Sequence, residues 1–419
     1  MPRVALHTLG CKVNQYETEK IAEGLRAQGC EVVRFSDLAD IYIINTCTVT
    51  QVADSKSRQM VRSAVRRNPE AKVVVTGCFA ETSPDQASSL EGVALVVGNK
   101  DKHLLPEKVL SLITHMENSA LRTPHSALRG RTRALLKIQD GCNQFCSYCA
   151  VPFARSSMEC KPFKELIEEA SDLAERGYKE IVLTGIRLGL YEDGEADLTH
   201  VLRELMQING IERIRLSSIE LTDIRPGLID LMAASEKVCR HLHIPLQSGD
   251  DRVLARMNRP YTSRDFADFV CRARKLLPEI AITTDIMVGF PGETEDEFET
   301  SYNFAEEICF SRMHVFRYSP RPVTLAASMP NPVHDAEKDR RSARLIELGA
   351  RCSEDFAHRL IGKDVSVLVE ARRNTSKGLS GLTDNYIRVA FDGARDLVGK
   401  IVEVEVESAV GETALGKLL

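Results

Sequence analysis

No apolar run in this 419-residue chain reaches the roughly 18 residues that a membrane-spanning helix needs. The opening residues, Met1 to His7, lack the charged-then-apolar layout of a secretory signal. Both absences predict a cytoplasmic protein with no membrane partner. A large excess of one charge is missing too. At a net charge of −5 the whole chain is no generic polyanion binder, and any contact with nucleic acid falls to local patches. One candidate patch is 56–67, where Lys56, Arg58, Arg62, Arg66 and Arg67 stand without an acid. A second is 119–139, with Arg122, Arg129, Arg131, Arg133 and Lys137. The plain alternative is a solvated helix face and a solvated linker.

Cysteine, by contrast, is abundant. Disulfides are rare in a reducing compartment, so twelve cysteines point to metal or catalysis. The rest of the composition, 43% hydrophobic and 27% charged, is that of an ordinary folded protein. At roughly 150 residues per domain the length allows two to four domains.

Apolar runs at Val4–Leu9, Ile41–Ile44, Val73–Val75 and Ala94–Val97 alternate with helical patterns at Glu17–Ala27 and Val52–Arg67. That alternation predicts a small parallel α/β domain over 1–113. A polar, basic stretch near 114–133 follows as a linker. Over 128–358 come strand candidates at Ala134–Gln139, Glu180–Thr184, Arg213–Ser217, His241–Pro245, Ile280–Val288 and Met313–Tyr318, with helical segments between them. A complete barrel of this kind has eight such units, so this series predicts a partial, laterally open (β/α)6 barrel that admits a large substrate. Residues 361–419 change to short β-branched strands at Val365–Val369, Tyr386–Phe391 and Ile401–Val406, a small all-β barrel.

Cys142, Cys146 and Cys149 fall within one short loop after the first barrel strand. A loop this tight can place three thiolates on one cubane iron–sulfur cluster. Most clusters take four Cys ligands; with three, one iron stays open. S-adenosylmethionine can chelate that iron, take an electron from the cluster and break into a carbon radical. A zinc knuckle needs four closed ligands, and the nearby fourth candidate, Cys160, is oddly spaced. Buried structural thiols are the other alternative. The position, after a strand of a βα series, is where active-site loops belong. On this triplet the chain resembles the radical SAM superfamily. Gln247 and Ser248 after the fourth barrel strand, Asp285 on the fifth, and Ser218 and Glu220 after the third look like that superfamily's cofactor-binding segments.

Cys11, Cys47 and Cys78 each follow a strand of the first domain. Loops at the carboxyl edge of an open parallel sheet lie together, so these thiols should converge on a second cluster. Separate buried thiols are the alternative, but core residues sit within strands and these sit just past them. Gly10-Cys11-Lys12-Val13-Asn14-Gln15-Tyr16-Glu17 and Asn45-Thr46-Cys47-Thr48-Val49 resemble the radical SAM methylthiotransferases over nearly the whole chain. The final domain resembles the TRAM domain, which in that family binds RNA. Lys12–Glu17 and Leu183–Gly189 look most like the branch acting on tRNA adenosine 37 that already bears a threonylcarbamoyl group.

This resemblance implies two [4Fe-4S] clusters and S-adenosylmethionine. The 142/146/149 cluster would make the 5′-deoxyadenosyl radical, and the 11/47/78 cluster would present sulfur. The product would be a methylthio group on carbon 2 of the adenine. The implied partners are the anticodon loop of ANN-reading tRNA and a flavodoxin or ferredoxin. Arg58, Arg62 and Arg66, with Arg372, Arg373 and Lys377 in one loop of the last domain, are the candidate RNA contacts, although 361–419 carries no excess of basic residues. The remaining cysteines (30, 160, 239, 271, 309 and 352) read as packing residues. Two departures from the family pattern, Ser156 for a glycine with Glu159 for a basic residue, and Val323 with Leu325 after the sixth strand, bear on loop geometry and substrate contact. A methylthiotransferase for a ribosomal protein and a non-catalytic iron–sulfur RNA-binding protein are the competing readings.

Overall fold

A computed structural model of the chain describes residues 1–113, 131–370 and 378–419. Most of the expected linker, and Arg122, Arg129, Arg372, Arg373 and Lys377, lie outside the described residues.

The first unit is a five-stranded, all-parallel sheet. Its spatial order is Glu31–Val33, Arg3–Thr8, Ile41–Thr46, Lys72–Gly77, Val93–Val97. The central strand Ile41–Thr46 is buried at every residue, which explains its continuous apolar run: helices cover both faces of such a sheet. Helix Lys12–Ala27 and helix Gln51–Arg67 supply two of those covers.

The second unit is a half-barrel of six parallel strands. Ala134–Lys137, Glu180–Thr184 and Arg213–Leu216 form one sheet, and His241–His243, Ala281–Val288 and Arg312–Arg317 form another. Isolated bridges at Ile214–Val238 and Ser218–His243 join the two. One continuous apolar core lies between these strands and the outer helices. Helices Ser263–Leu276 and Glu295–Ile308 start where the sequence places them, because Thr262 and Thr294 each form a reciprocal capping box with an acid three residues on.

The third unit is a closed five-stranded barrel: Asp364–Glu370, Leu379–Thr383, Arg388–Phe391, Thr413–Leu418, Ile401–Val410. The sequence reading lacks two of these strands, Leu379–Thr383 and Thr413–Leu418. Each carries a glycine, which weakens a strand pattern. The barrel requires it: a Cβ on Gly381 would stand 2.1 Å from the Leu368 carbonyl oxygen, and one on Gly416 2.3 Å from that of Glu405.

Two arginines of the third half-barrel strand hold this small barrel in place. Arg213 donates to the backbone carbonyls of Leu382 (2.9 Å) and Ser366 (2.6 Å). Arg215 donates to those of Asp384 (2.8 Å) and Thr383 (3.0 Å) and pairs with Glu180 at 2.7 Å. Arg215 and Glu180 are both fully enclosed. Tyr386, at φ 69°, reaches back to stack on His241 at 4.5 Å.

Replacing Arg215 by Met leaves the enclosed Glu180 without its closest cation. Removal of one partner from a buried pair costs about 3–5 kcal/mol. Denaturant unfolding should show that loss, and limited proteolysis should release the 361–419 unit from Arg215→Met but not from the parent.

Candidate functional site

The carboxyl edge of the first sheet faces the carboxyl rim of the half-barrel, and each carries a set of three thiols. In the first set, Cys11 caps helix Lys12–Ala27, Cys47 follows its strand directly, and Cys78 opens the short helix Cys78–Thr82. Ionisation of Cys11 or Cys78 would raise the Cys47 thiol, and ionisation of Cys78 the Cys11 thiol, so the three share one locale. Gly10 makes the approach possible. At φ 92° it lies where side chains are rarely tolerated, and a Cβ there would be 2.9 Å from the Cys47 sulfur. Cys47 and Cys78 are buried, while Cys11 opens on the cleft.

In the second set, each sulfur accepts one hydrogen bond. The Gln144 N–H donates to Cys142, the Val151 N–H to Cys149 and the Arg259 guanidinium to Cys146, each at 3.4 Å. Ser147 ties the loop to the half-barrel, with its hydroxyl on the Arg256 carbonyl at 2.8 Å and its N–H on that of Met257 at 3.0 Å.

Burial pushes four of these thiols, two in each set, toward their neutral form. Cys11 and Cys142 are raised, Cys47 to about 11 and Cys149 to about 12. A thiolate held in such a place needs a metal or a nearby cation. Arg155 supplies positive charge to Cys11, Arg187 to Cys142 and Arg259 to Cys149. A single tetrahedral zinc, with Zn–S bonds of about 2.3 Å, would hold its thiolates about 3.8 Å apart. Among the described residues, neither set brings all three sulfurs within 4.8 Å of one another, which suits a multinuclear cluster better than one ion. Buried polar atoms without partners, Asn99 Oδ1 and Arg155 Nε near the first set and Gln144 Nε2 within the second loop, mark where a bound group would complete the hydrogen bonding.

An ion-pair network locks the two sets face to face. Arg155, six residues past Cys149, pairs with Glu17 (2.9 Å) on the helix that Cys11 caps. It also pairs with Asp140 (2.7 Å), two residues before Cys142, and donates to Asn14 (2.8 Å). Lys102 adds a contact to Glu17 at 2.5 Å and Lys137 one at 3.3 Å. Burial alone would raise the Glu17 carboxyl. The three cations instead hold it well below the usual carboxylate range. A second tie lies beside Cys47, where Arg321 reaches Thr48 (2.7 Å) and Asp54 (2.6 Å).

The expected cofactor contacts divide. Glu220 pairs with Arg259, and so stands beside the second thiol set. Ser248 is fully buried with its hydroxyl accepting from the Asp250 N–H (3.2 Å), and Gln247 adopts a left-handed φ of 66° at the same rim. Ser218 makes an isolated bridge to His243. Asp285 sits mid-strand, opposite His314 in register, and is held at 3.3 Å by both His243 and His314. On helix Gln51–Arg67, Lys56, Arg62 and Arg66 are exposed, whereas Arg58 is half-buried over the Phe79 ring. Ser156 is exposed, and Val323 and Leu325 present apolar side chains to solvent at the departure after the sixth strand. Cys160 belongs to neither set; it accepts from the Glu192 N–H at 3.4 Å. Cys271, read as a packing residue, is exposed, because its helix turns that position outward. Sequence reasoning missed Arg155, Arg187 and Arg259 as charge partners of the thiols; an arginine close after a cysteine loop was the available signal.

Comparison with known proteins agrees with this geometry. The Radical SAM superfamily model matches residues 136–305, the TRAM domain model 358–419, and the model described as uncharacterized protein family UPF0004 matches 3–98. The chain is therefore a radical SAM protein. It is 43% identical to the threonylcarbamoyladenosine tRNA methylthiotransferase MtaB of Bacillus subtilis, over 98% of this chain and 94% of that one. It is 37% identical to the MtaB of Aquifex aeolicus, over 96% and 99%. A tRNA-2-methylthio-N(6)-dimethylallyladenosine synthase of Thermoanaerobacter sp. is 34% identical over 99% and 92%. The solved radical S-adenosylmethionine methyltransferase TsrM of Kitasatospora setae shares the fold, with a TM-score of 0.58 at 17% identity over 78% of this chain and 75% of that one. The chain belongs to the radical SAM methylthiotransferase family. It is a transferase of the class that works with a [4Fe-4S] cluster and S-adenosylmethionine. Among the described residues, no helix is long and apolar enough to cross a membrane.

Glu17→Gln removes the carboxylate that Arg155 and Lys102 share, so stability should fall by about 3–5 kcal/mol in denaturant melts. The Glu17 carboxyl is depressed in the folded state. Its contribution is therefore complete above the unfolded carboxyl value near 4.3 and is lost as pH falls through the lower folded value. The difference in stability between parent and Glu17→Gln should accordingly shrink in acid, and a difference that grows below about pH 4 would contradict this.

Proposed function

We propose that this chain adds a methylthio group to carbon 2 of N6-threonylcarbamoyladenosine at position 37 of tRNA. The observation that carries the proposal is the pair of three-thiol sets on facing edges of one cleft. Most iron–sulfur clusters use four cysteines, so three thiols per set leave each cluster one open iron. In this reading Cys142, Cys146 and Cys149 hold the radical-forming cluster within 128–358, and Cys11, Cys47 and Cys78 hold a second cluster within 1–113. When bound, the first would pass an electron into one S-adenosylmethionine, releasing methionine and a 5′-deoxyadenosyl radical that takes the hydrogen from carbon 2, while the second would supply the sulfur and a further S-adenosylmethionine its methyl group.

The chain's own residues then have separable tasks. Arg259 joins the Cys146 sulfur to Glu220, which fixes an acid at the rim where the amino group of S-adenosylmethionine would lie. Gln247, Ser248 and Ser218 line that rim, and Asp285, held by His243 and His314 on the fifth strand, belongs to the same cofactor-binding set. Arg155 and Glu17 keep the two thiol sets opposed. Lys56, Arg62 and Arg66 present an exposed basic helix face, suited to the phosphates of an RNA stem. The 361–419 unit, with Arg372, Arg373 and Lys377, is the second RNA contact. A base in a single-stranded loop can be splayed out to reach both clusters. A flavodoxin or ferredoxin in the cytoplasm provides the electron. The threonylcarbamoyl substrate draws support from the relatives: those named MtaB are 36–43% identical to this chain, and those named dimethylallyladenosine synthases 31–34%.

Two variants test the division of labour. Cys146→Ala should abolish cleavage of S-adenosylmethionine to 5′-deoxyadenosine. Cys47→Ala, or Gly10→Ala, whose added Cβ collides with Cys47, should retain cleavage and lose the methylthio product. Nucleoside mass spectrometry on threonylcarbamoyladenosine tRNA reads both, and normal product from Cys47→Ala would refute the sulfur-carrying role.

A further inference from the structure

A second cavity lies below the thiol cleft. It measures about 690 Å3 and is lined by all three units: Lys12 and Gln15 of the first helix, the half-barrel at Leu135, Val182 and Thr283, and the 385–388 turn of the small barrel. In a chain of net charge −5 its lining is cationic. Lys12, Arg131, Arg133, Arg312 and Arg388 face Glu370 and Glu412, five cations against two carboxylates.

Four of those cations are already matched. Arg133 and Arg388 share Glu370, each at 3.0 Å, Arg131 pairs with Glu19 at 3.0 Å, and Arg312 with Glu412 at 3.0 Å. Lys12 is the exception. Among the described residues, no carboxylate lies within 4.0 Å of its ammonium, and the acid whose charge does reach it, Asp285, is held by two histidines. A half-buried cation without a counter-ion is poorly compensated unless an anion arrives.

Its place in the chain says which anion. Lys12 follows the helix-capping Cys11 directly and also lines this cavity, so it is the lining residue that adjoins the first thiol set in the chain. If that set delivers sulfur to carbon 2 of an adenine, a substituent on N6 is close at hand, since only one ring nitrogen separates carbon 2 from the carbon that bears N6. We propose that Lys12 receives the carboxylate of the N6-linked threonylcarbamoyl group and so selects adenosines that carry an acidic substituent over those whose substituent is absent or neutral. Arg133 and Tyr386 line the same cavity. This inference rests on the substrate reading above, and gives that reading a physical basis in one residue.

The test is binding to the anaerobically reconstituted holoprotein, by fluorescence anisotropy. The probes are one tRNA carrying threonylcarbamoyladenosine at position 37, the same tRNA with unmodified adenosine, and the modified tRNA with its carboxyl blocked as the methyl ester. The parent should prefer the free acid over both others by about tenfold or more, the scale of a charged hydrogen bond. Lys12→Gln should lose that preference and Lys12→Arg keep it, with iron content equal to the parent's. The methyl-ester arm needs no variant and so holds even if Lys12→Gln disturbs the neighbouring Cys11. Equal weakening of all three tRNAs in Lys12→Gln would assign the anion to RNA phosphate and overturn the proposal. Undiminished preference in Lys12→Gln, or a parent that binds ester and acid alike, would also overturn it while product formation still upheld the substrate reading. A parent that methylthiolates no threonylcarbamoyladenosine would end both.

Discussion

The pairing of Arg155 with Glu17 and Asp140 is the constraint on which the rest of the structure hangs. Three separately folded units can be arranged in many ways, and inter-domain contacts are by default mobile. A guanidinium that is nearly fully buried and shared between the helix behind Cys11 and the strand end before Cys142 leaves little such freedom. Charges of this kind are costly to bury and are tolerated only with close partners. The network therefore holds the two thiol sets opposite each other.

Electrostatics also organises the opposite end of the half-barrel. Arg213 and Arg215 satisfy carbonyls of the small β-barrel rather than an acid on their own unit, apart from Glu180. The docked barrel in turn lines a cationic cavity in which Lys12 is the one lining cation without a close carboxylate among the described residues. A half-open pocket lined by five basic and two acidic side chains suits an anionic ligand in a chain of net negative charge.

Much of this was legible in the sequence. The grouping of Cys11, Cys47 and Cys78 follows from strand–helix alternation, because parallel strands must present their following loops on one edge. The six-unit half-barrel follows from periodicity and from capping signals such as Thr262 and Thr294. Other features were hidden for physical reasons. Leu379–Thr383 and Thr413–Leu418 read weakly because their glycines answer to a neighbouring backbone distant in sequence, not to local strand preference. Arg215 looks misplaced in a buried strand until the carbonyls of residues 383 and 384 arrive beside it. Arg155 was visible only as part of a family-like loop; that it reaches Glu17 depends on how two units dock. Cys271 shows the converse, a helical cysteine that faces solvent because its position falls on the outer face.

Metal and sulfide analysis of anaerobically prepared protein, with electron paramagnetic resonance of the reduced sample, tests the central claim most directly. Two three-thiol sites predict about eight irons and as many sulfides per chain, as two four-iron clusters with distinct signals. Stoichiometric zinc in place of iron, or a single cluster of about four irons per chain that is lost when either thiol set is removed, would contradict the account.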